Sequence, residues 1–275
     1  MPYGKPTQES ALNRVVTLQS LRKMKAEGEK FVTVALYDAP MAAMAKKSGV
    51  QVLLVGDSLG MTVLGYDSTI PVTMEQMIYH VEAVKRGNDL SLIMGDMPFM
   101  TYATPEDAMK NAARIMQAGA HMVKLEGGEW LGETVKMLSD RGIPVCAHLG
   151  LTPQSVNKLG GFRVQGRESE QADIILNDAK ILDQAGADLL VLECVPNSLA
   201  KDITAAVSMP TIGIGAGRDT DAQVLVINDI LGLTEQPPKF SKNFLLESED
   251  IPSSLQKFVE DVRNGIFPED KHTFG

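Results

Sequence analysis

A chain of 275 residues and 29.7 kDa, 44% of them apolar, is long enough to bury about 70–75% of its unfolded surface, which excludes disorder, collagen and stapled miniature scaffolds. Lys and Arg number 26 against 35 Asp and Glu, a net charge of −9 with no basic run to relieve it, and this excludes a nucleic-acid backbone as partner. No apolar stretch is long enough to span a membrane, and MPYGKPTQES has neither a signal-peptide core nor an Arg-rich transit pattern.

In chain order, a helix is predicted over 17–27, followed by short apolar runs at 31–37 (FVTVALY), 51–56 (QVLLVG), 91–95 (SLIMG), 121–125 (HMVKL), 144–149 (PVCAHL), 188–193 (DLLVLE), 210–214 (PTIGI) and 223–228 (QVLVIN). Their bunched Val, Ile and Leu suit strands buried on both faces. Amphipathic stretches lie between most of them. Thr73 with Gln76 reads as a capping box, and Thr104-Pro105-Glu106-Asp107 as a helix start with proline in the first turn. Gly49, Gly119, Gly142 and Gly186 each stand just before a strand, where a left-handed glycine ends a helix. Strands alternating with helices over this length predict a single α/β domain over 1–275, a closed (β/α)8 TIM barrel. It carries an extra N-terminal helix and, after about 237, a C-terminal helical extension; a doubly wound open sheet is the competitor. The two cysteines, Cys146 and Cys194, lie within apolar runs, which suits a reducing, cytoplasmic setting.

In such a barrel the residues at the C-terminal strand ends converge on one mouth. Those residues are Asp38, Asp57-Ser58, Asp96, Lys124 with Glu126, His148, Glu193, the glycine string 213–217, and Asn228-Asp229. Any single Asp there can simply cap the next helix. As a group, carboxylates crowded into a partly dry space repel one another unless a cation or proton intervenes. Four scattered histidines and no cysteine cluster argue against zinc, whereas carboxylates with room for water and a substrate oxygen suit Mg²⁺ or a similar hard ion. Glu193 ends LLVLE, where apolar surroundings would suit it to proton transfer. His148 can donate to a substrate oxygen or serve as a buried structural histidine. The glycine string reads as a weak phosphate cradle or as a place of close backbone approach.

Several long motifs together resemble the ketopantoate (3-methyl-2-oxobutanoate) hydroxymethyltransferase family: VGDSLGMTVLGYDST (55–69), GDMPFMTYATPEDA (95–108), VKLEGGEW (123–130), AHLGLTPQSVNKLGGFRVQGR (147–167), LVLECVP (190–196) and IGIGAGRDTDAQVLVINDILGL (212–233). The resemblance runs from about residue 17 to the closing KHTFG and implies a barrel related to phosphoenolpyruvate mutase and isocitrate lyase. It implies Asp57 and Asp96 as Mg²⁺ ligands that also contact substrate, and Glu126 completing the metal site through water. Ser58 and Lys124 would hold the substrate carboxylate, and Glu193 would accept the proton. Tyr66, Leu36 and Ala222 depart from the family's usual residues without touching those positions.

The implied reaction takes a one-carbon unit from 5,10-methylenetetrahydrofolate, the co-substrate, to the enolate of 3-methyl-2-oxobutanoate, giving 2-dehydropantoate for pantothenate and coenzyme A synthesis. One Mg²⁺ per subunit would stabilise the enolate. The family also implies a homo-oligomer, a decamer in characterised members. Three alternatives stay open: a Schiff base at Lys124, a phosphoenolpyruvate mutase or isocitrate lyase-like carbon–carbon or phosphorus–carbon chemistry, and a non-catalytic keto-acid-binding barrel. Loop 152–168, with Lys158, Arg163 and Arg167, reads as a mobile lid, a basic patch for the folate's glutamate tail, or an ordinary solvated loop.

Overall fold

Strands that are apolar on both faces need cover inside and out, and a closed barrel sheathed in helices supplies both. The computed structural model describes residues 14–275; the reading of the first ten residues, and the start of the 1–275 unit, lie outside them. The strands are β1 (Phe31–Ala35), β2 (Val52–Val55), β3 (Leu92–Asp96), β4 (Met122–Glu126), β5 (Val145–Gly150), β6 (Leu189–Glu193), β7 (Thr211–Ile214) and β8 (Ala222–Val226). All are parallel, they pair in chain order, and β8 returns to β1, so the open sheet is excluded.

Alternation along each strand divides the core in two. Val32 and Val34, Leu53 and Val55, Val123 and Leu125, and Leu190 and Leu192 pack outward beneath the helices. Phe31, Val52, Met94, Met122, Cys146 and Val191 pack inward among the barrel-filling residues. The Leu18–Glu27 helix, capped by Thr17, presses Leu21 into that inner cluster. Lys25 Nζ reaches Asp221 at 2.8 Å and Arg22 reaches Asp188 at 2.6 Å. Both partners directly precede strands, so the helix closes the end opposite the mouth.

The punctuation of the chain behaves as its residues require. Thr73 and Gln76 form a reciprocal capping box, and Thr104 caps the Pro105–Gln117 helix. Gly49, Gly119, Gly142 and Gly186 all take positive φ. The final apolar run is corrected: β8 stops at Val226, and Ile227–Ile230 is already a helical turn, so Asn228 and Asp229 are not strand residues. The closing Ile251–Arg263 helix starts at an Asp250–Ser253 capping box and packs on β1 and on the Ala39–Lys47 helix, completing the outer sheath. Phe244, Phe258 and Phe267 meet edge to face there, with ring centroids 5.2–5.7 Å apart.

One glycine is fixed by close approach. Gly150 ends β5 at φ +91°, and a Cβ there would stand 2.2 Å from the Glu193 carbonyl oxygen. Leu151 N–H donates to that same oxygen at 2.8 Å. Gly150→Ala is expected to cost about 1–3 kcal/mol from backbone strain alone, with the clash added, as measured by urea denaturation.

Candidate active site

Inward parity and strand register together assemble the mouth. Asp96, Lys124, Glu126, His148 and Glu193 all share the inward face with the barrel-filling residues below them. Asp96 stands opposite Lys124, Glu126 opposite His148, and Glu193 opposite Gly150, one layer above His148. A cavity of about 550 Å³ opens over them, lined also by Asp57, Ser58 and the apolar ring of Leu54, Val191, Ile214 and Val224.

The polar residues form one connected chain. Lys124 Nζ donates to Asp96 Oδ1 at 2.5 Å and lies 3.6 Å from Glu126 Oε1. Asp96 Oδ2 accepts from the Asp57 backbone N–H at 3.0 Å. His148 places Nδ1 3.3 Å from Glu126 Oε1 and Nε2 3.2 Å from Glu193 Oε2. At those separations the imidazole is in ion-pair reach of both carboxylates but aligned for a hydrogen bond with neither. The apolar setting expected for Glu193 is therefore incomplete, since one oxygen faces a ring nitrogen.

Burial pushes Asp57 well above the usual carboxylate range, and repulsion from Asp96 and Glu126 adds to it. Burial raises Asp96 as well, with the Lys124 ammonium only partly offsetting it. Glu126 goes the other way: burial would raise it, but His148 and Lys124 prevail and hold it below its ordinary value. For Lys124, burial favours the neutral amine, yet Asp96 and Glu126 outweigh that and hold it charged. Burial and Lys124 both disfavour a charged His148, but Glu126 and Glu193 prevail and its pKa rises to about 9.

The donor set fits a hard divalent cation. Three buried carboxylates share one lysine, and Glu126 Oε1 is buried with no hydrogen bond. All are oxygen donors, the chemistry Mg²⁺ prefers. Among the described residues, no three His, Cys, Asp or Glu side chains are grouped to hold one ion, so a cation held here would need further oxygens from substrate or water.

Not every strand-end residue joins the site. Asp38 is exposed and caps the Ala39–Lys47 helix by accepting from Met41 N–H, the simple role open to any Asp after a strand. Asp229 lines the cavity from the turn after β8, accepting from Thr234 Oγ1 at 2.5 Å. Ser58 Oγ pairs with Tyr37 Oη at 2.8 Å. The glycine string serves close approach: Gly215, at φ +61°, would bring a Cβ 3.0 Å from Phe240 and from Phe274. Lys158, Arg163 and Arg167 stay on the surface, while Phe162 of the same loop lines the cavity.

Sequence reasoning missed Gln154. This buried loop residue ties Asp57, Met97, Tyr102 and Glu126 together, and no spacing rule singles out a glutamine in a loop. It also missed the left-handed backbone of Cys194, φ +48°, which costs about 1–3 kcal/mol. Backbone hydrogen bonds to Ile214 and Gln165 hold it, both at 2.9 Å.

Comparison with known proteins decides the family. The family model described as ketopantoate hydroxymethyltransferase matches residues 15–270. The chain belongs to the ketopantoate hydroxymethyltransferase family. Among its relatives, the 3-methyl-2-oxobutanoate hydroxymethyltransferase of Saccharophagus degradans is 72% identical over 263 residues, covering 96% of this chain and 97% of that one. The Shewanella loihica protein of the same name is 55% identical over 260 residues, covering 94% and 98%. Solved structures add likeness of fold alone. Phosphonopyruvate hydrolase aligns with TM-score 0.61 at 12% identity, covering 80% of this chain and 84% of that one. A 2,3-dimethylmalate lyase of the phosphoenolpyruvate mutase/isocitrate lyase superfamily aligns with TM-score 0.55 at 16%, covering 77% and 81%. Among the described residues no helix is long and apolar enough to cross a membrane.

The His148 charge makes a stability prediction. An imidazole whose folded pKa of about 9 exceeds its ordinary 6.5 adds stability that is complete below 6.5 and lost as pH rises toward 9. In chelator-treated protein, the advantage of wild type over His148→Gln should shrink across that window, as followed by urea denaturation at several pH values.

Proposed function

We propose that the protein transfers a one-carbon unit from 5,10-methylenetetrahydrofolate to C3 of 3-methyl-2-oxobutanoate, forming 2-dehydropantoate in pantothenate synthesis. The observation that carries the reading is the pairing, across one cavity, of a carboxylate cluster holding a charged lysine with a second carboxylate backed by histidine. Family membership supplies the substrate class.

Each residue has a part that its surroundings suit. Asp57 and Asp96 would hold a divalent cation, with Glu126 acting through water. When bound, the cation supplies Lewis-acid polarisation of the keto acid's oxygens, worth several kcal/mol of developing charge. Lys124 offers the substrate carboxylate a fixed ammonium, and Ser58 offers a hydroxyl; together they orient C3. Glu193, at the far side of the cavity, takes the C3 proton. His148, charged between Glu126 and Glu193, keeps that carboxylate oriented. The C3 electron pair then forms a bond to the folate's methylene carbon as one of its two C–N bonds breaks. Water oxygen replaces the second nitrogen, and the C3 proton and one water proton end on the two released nitrogens, giving the hydroxymethyl group and tetrahydrofolate.

A Schiff base at Lys124 is the less favoured reading, because the neighbouring carboxylates keep its amine protonated and so not nucleophilic. Borohydride with the keto acid should leave Lys124 unmodified by mass spectrometry; a covalent adduct would replace the cation-assisted route.

Proton NMR of 3-methyl-2-oxobutanoate in D2O tests the base. The C3 proton signal should vanish only with protein and Mg²⁺ together, and Glu193→Gln should slow that exchange about 10²–10⁴-fold while still binding the keto acid. Unchanged exchange in Glu193→Gln would remove Glu193 from the role. Binding with no exchange in wild type, with or without folate, would favour a non-catalytic keto-acid-binding barrel.

A further inference from the structure

We infer, on the reading above that Asp57 holds the cation, that Gln154 is a positioning residue that aims the Asp57 carboxylate into the cavity. Gln154 sits just past β5 and is 5% exposed. Its Nε2 donates to Asp57 Oδ2 at 2.8 Å and to the Met97 carbonyl at 2.9 Å. Its Oε1 accepts from the Tyr102 hydroxyl at 2.5 Å. Its own backbone N–H donates to Glu126 Oε2 at 3.0 Å. One loop residue thus binds two of the site's carboxylates.

The amide has a single workable orientation. Both Nε2 hydrogens face acceptors, and turning the group over would set Oε1 against a carboxylate and a carbonyl. Tyr102 secures the other end, its buried hydroxyl donating to Oε1. Among the described residues Asp57 Oδ2 takes the Gln154 bond, while Oδ1 accepts none, and the residue lines the cavity.

The chemistry of the pin matters. A neutral amide orients a carboxylate without neutralising it, whereas a lysine or arginine there would compete with a cation for the same charge. Lys124 is committed to Asp96 instead. The Gln154 bond thus occupies one Asp57 oxygen and leaves the other without a hydrogen bond, while restricting the carboxylate's rotation. The same residue ties the start of loop 152–168 to the Asp57 and Glu126 carboxylates.

Mn²⁺ alone, titrated into chelator-treated full-length protein and followed by EPR of the free ion, gives a readout separate from turnover. Removing such an outer partner typically weakens metal affinity about 10–100-fold, and that loss is expected for both Gln154→Ala and Gln154→Met. Leu138→Ala, a core variant remote from the mouth, should lose stability but keep wild-type affinity. Should neither Gln154 variant fold, Tyr102→Phe removes the amide's other anchor, and a weaker Mn²⁺ affinity supports the same role. Gln154 variants (or Tyr102→Phe in their place) that bind Mn²⁺ like wild type, while Asp57→Asn does not bind it, would overturn the inference and leave the cation reading standing. Wild-type affinity in Asp57→Asn would overturn both.

Discussion

Three carboxylates and one ammonium, all nearly sealed from water at the top of a closed barrel, set the terms for the rest of the molecule. Asp57, Asp96 and Glu126 surround Lys124, and the group carries more negative than positive charge in a place where desolvation is expensive. Left to themselves such acids would take up protons, the direction in which Asp57 and Asp96 are already pushed. The mouth is thus least favourable when empty and relieved by a cation. Stability has to come from elsewhere, and the two apolar layers inside and outside the strands are where it is found.

The barrel supplies precision as well as stability. Because inward side chains recur at every second residue, Lys124 and Glu126 on β4 point the same way two residues apart, and β3 and β5 bring Asp96 and His148 beside them through backbone pairing. Glu193 is set one layer higher, with Gly150 pressed against its carbonyl and Cys194 turned left-handed just after it. A base and an ammonium are thereby held apart across a gap instead of collapsing into an ion pair. His148 occupies that gap from the side, close enough to bias both Glu126 and Glu193.

Much of this could be read from the chain, and the reasons are specific. VKLE at 123–126 and LVLE at 190–193 carry both the apolar run and the polar residue in inward phase, so a period-two rule finds Lys124, Glu126 and Glu193 once the strands are placed. Helix ends were legible because caps and left-handed glycines are local chemistry. Asp38 and Asp57 look alike in sequence, each an acid following an apolar run, yet one is an exposed cap and the other is buried. Only the path of the following loop separates them. Gln154 was illegible for a related reason: its partners lie 28 to 97 residues away, and nothing local marks an amide that bonds at such range. β8 was read too long because Ile227 continues an apolar run after the backbone has already turned helical.

The likeness to phosphonopyruvate hydrolase and 2,3-dimethylmalate lyase, at 12% and 16% identity, separates what the scaffold contributes from what the residues contribute. A parallel barrel delivers inward side chains to one rim whatever they are. Which chemistry follows depends on how the rim's charges are balanced. Here the lysine is bound to one carboxylate, a neutral amide steadies a second, and a histidine divides itself between a third and the opposing glutamate. Asp57 and Glu126, both lining the cavity, are each left with an oxygen that accepts no hydrogen bond among the described residues. A charged partner in place of that amide would offset the acids' repulsion, but it would also compete with a divalent ion for the same Asp57 charge.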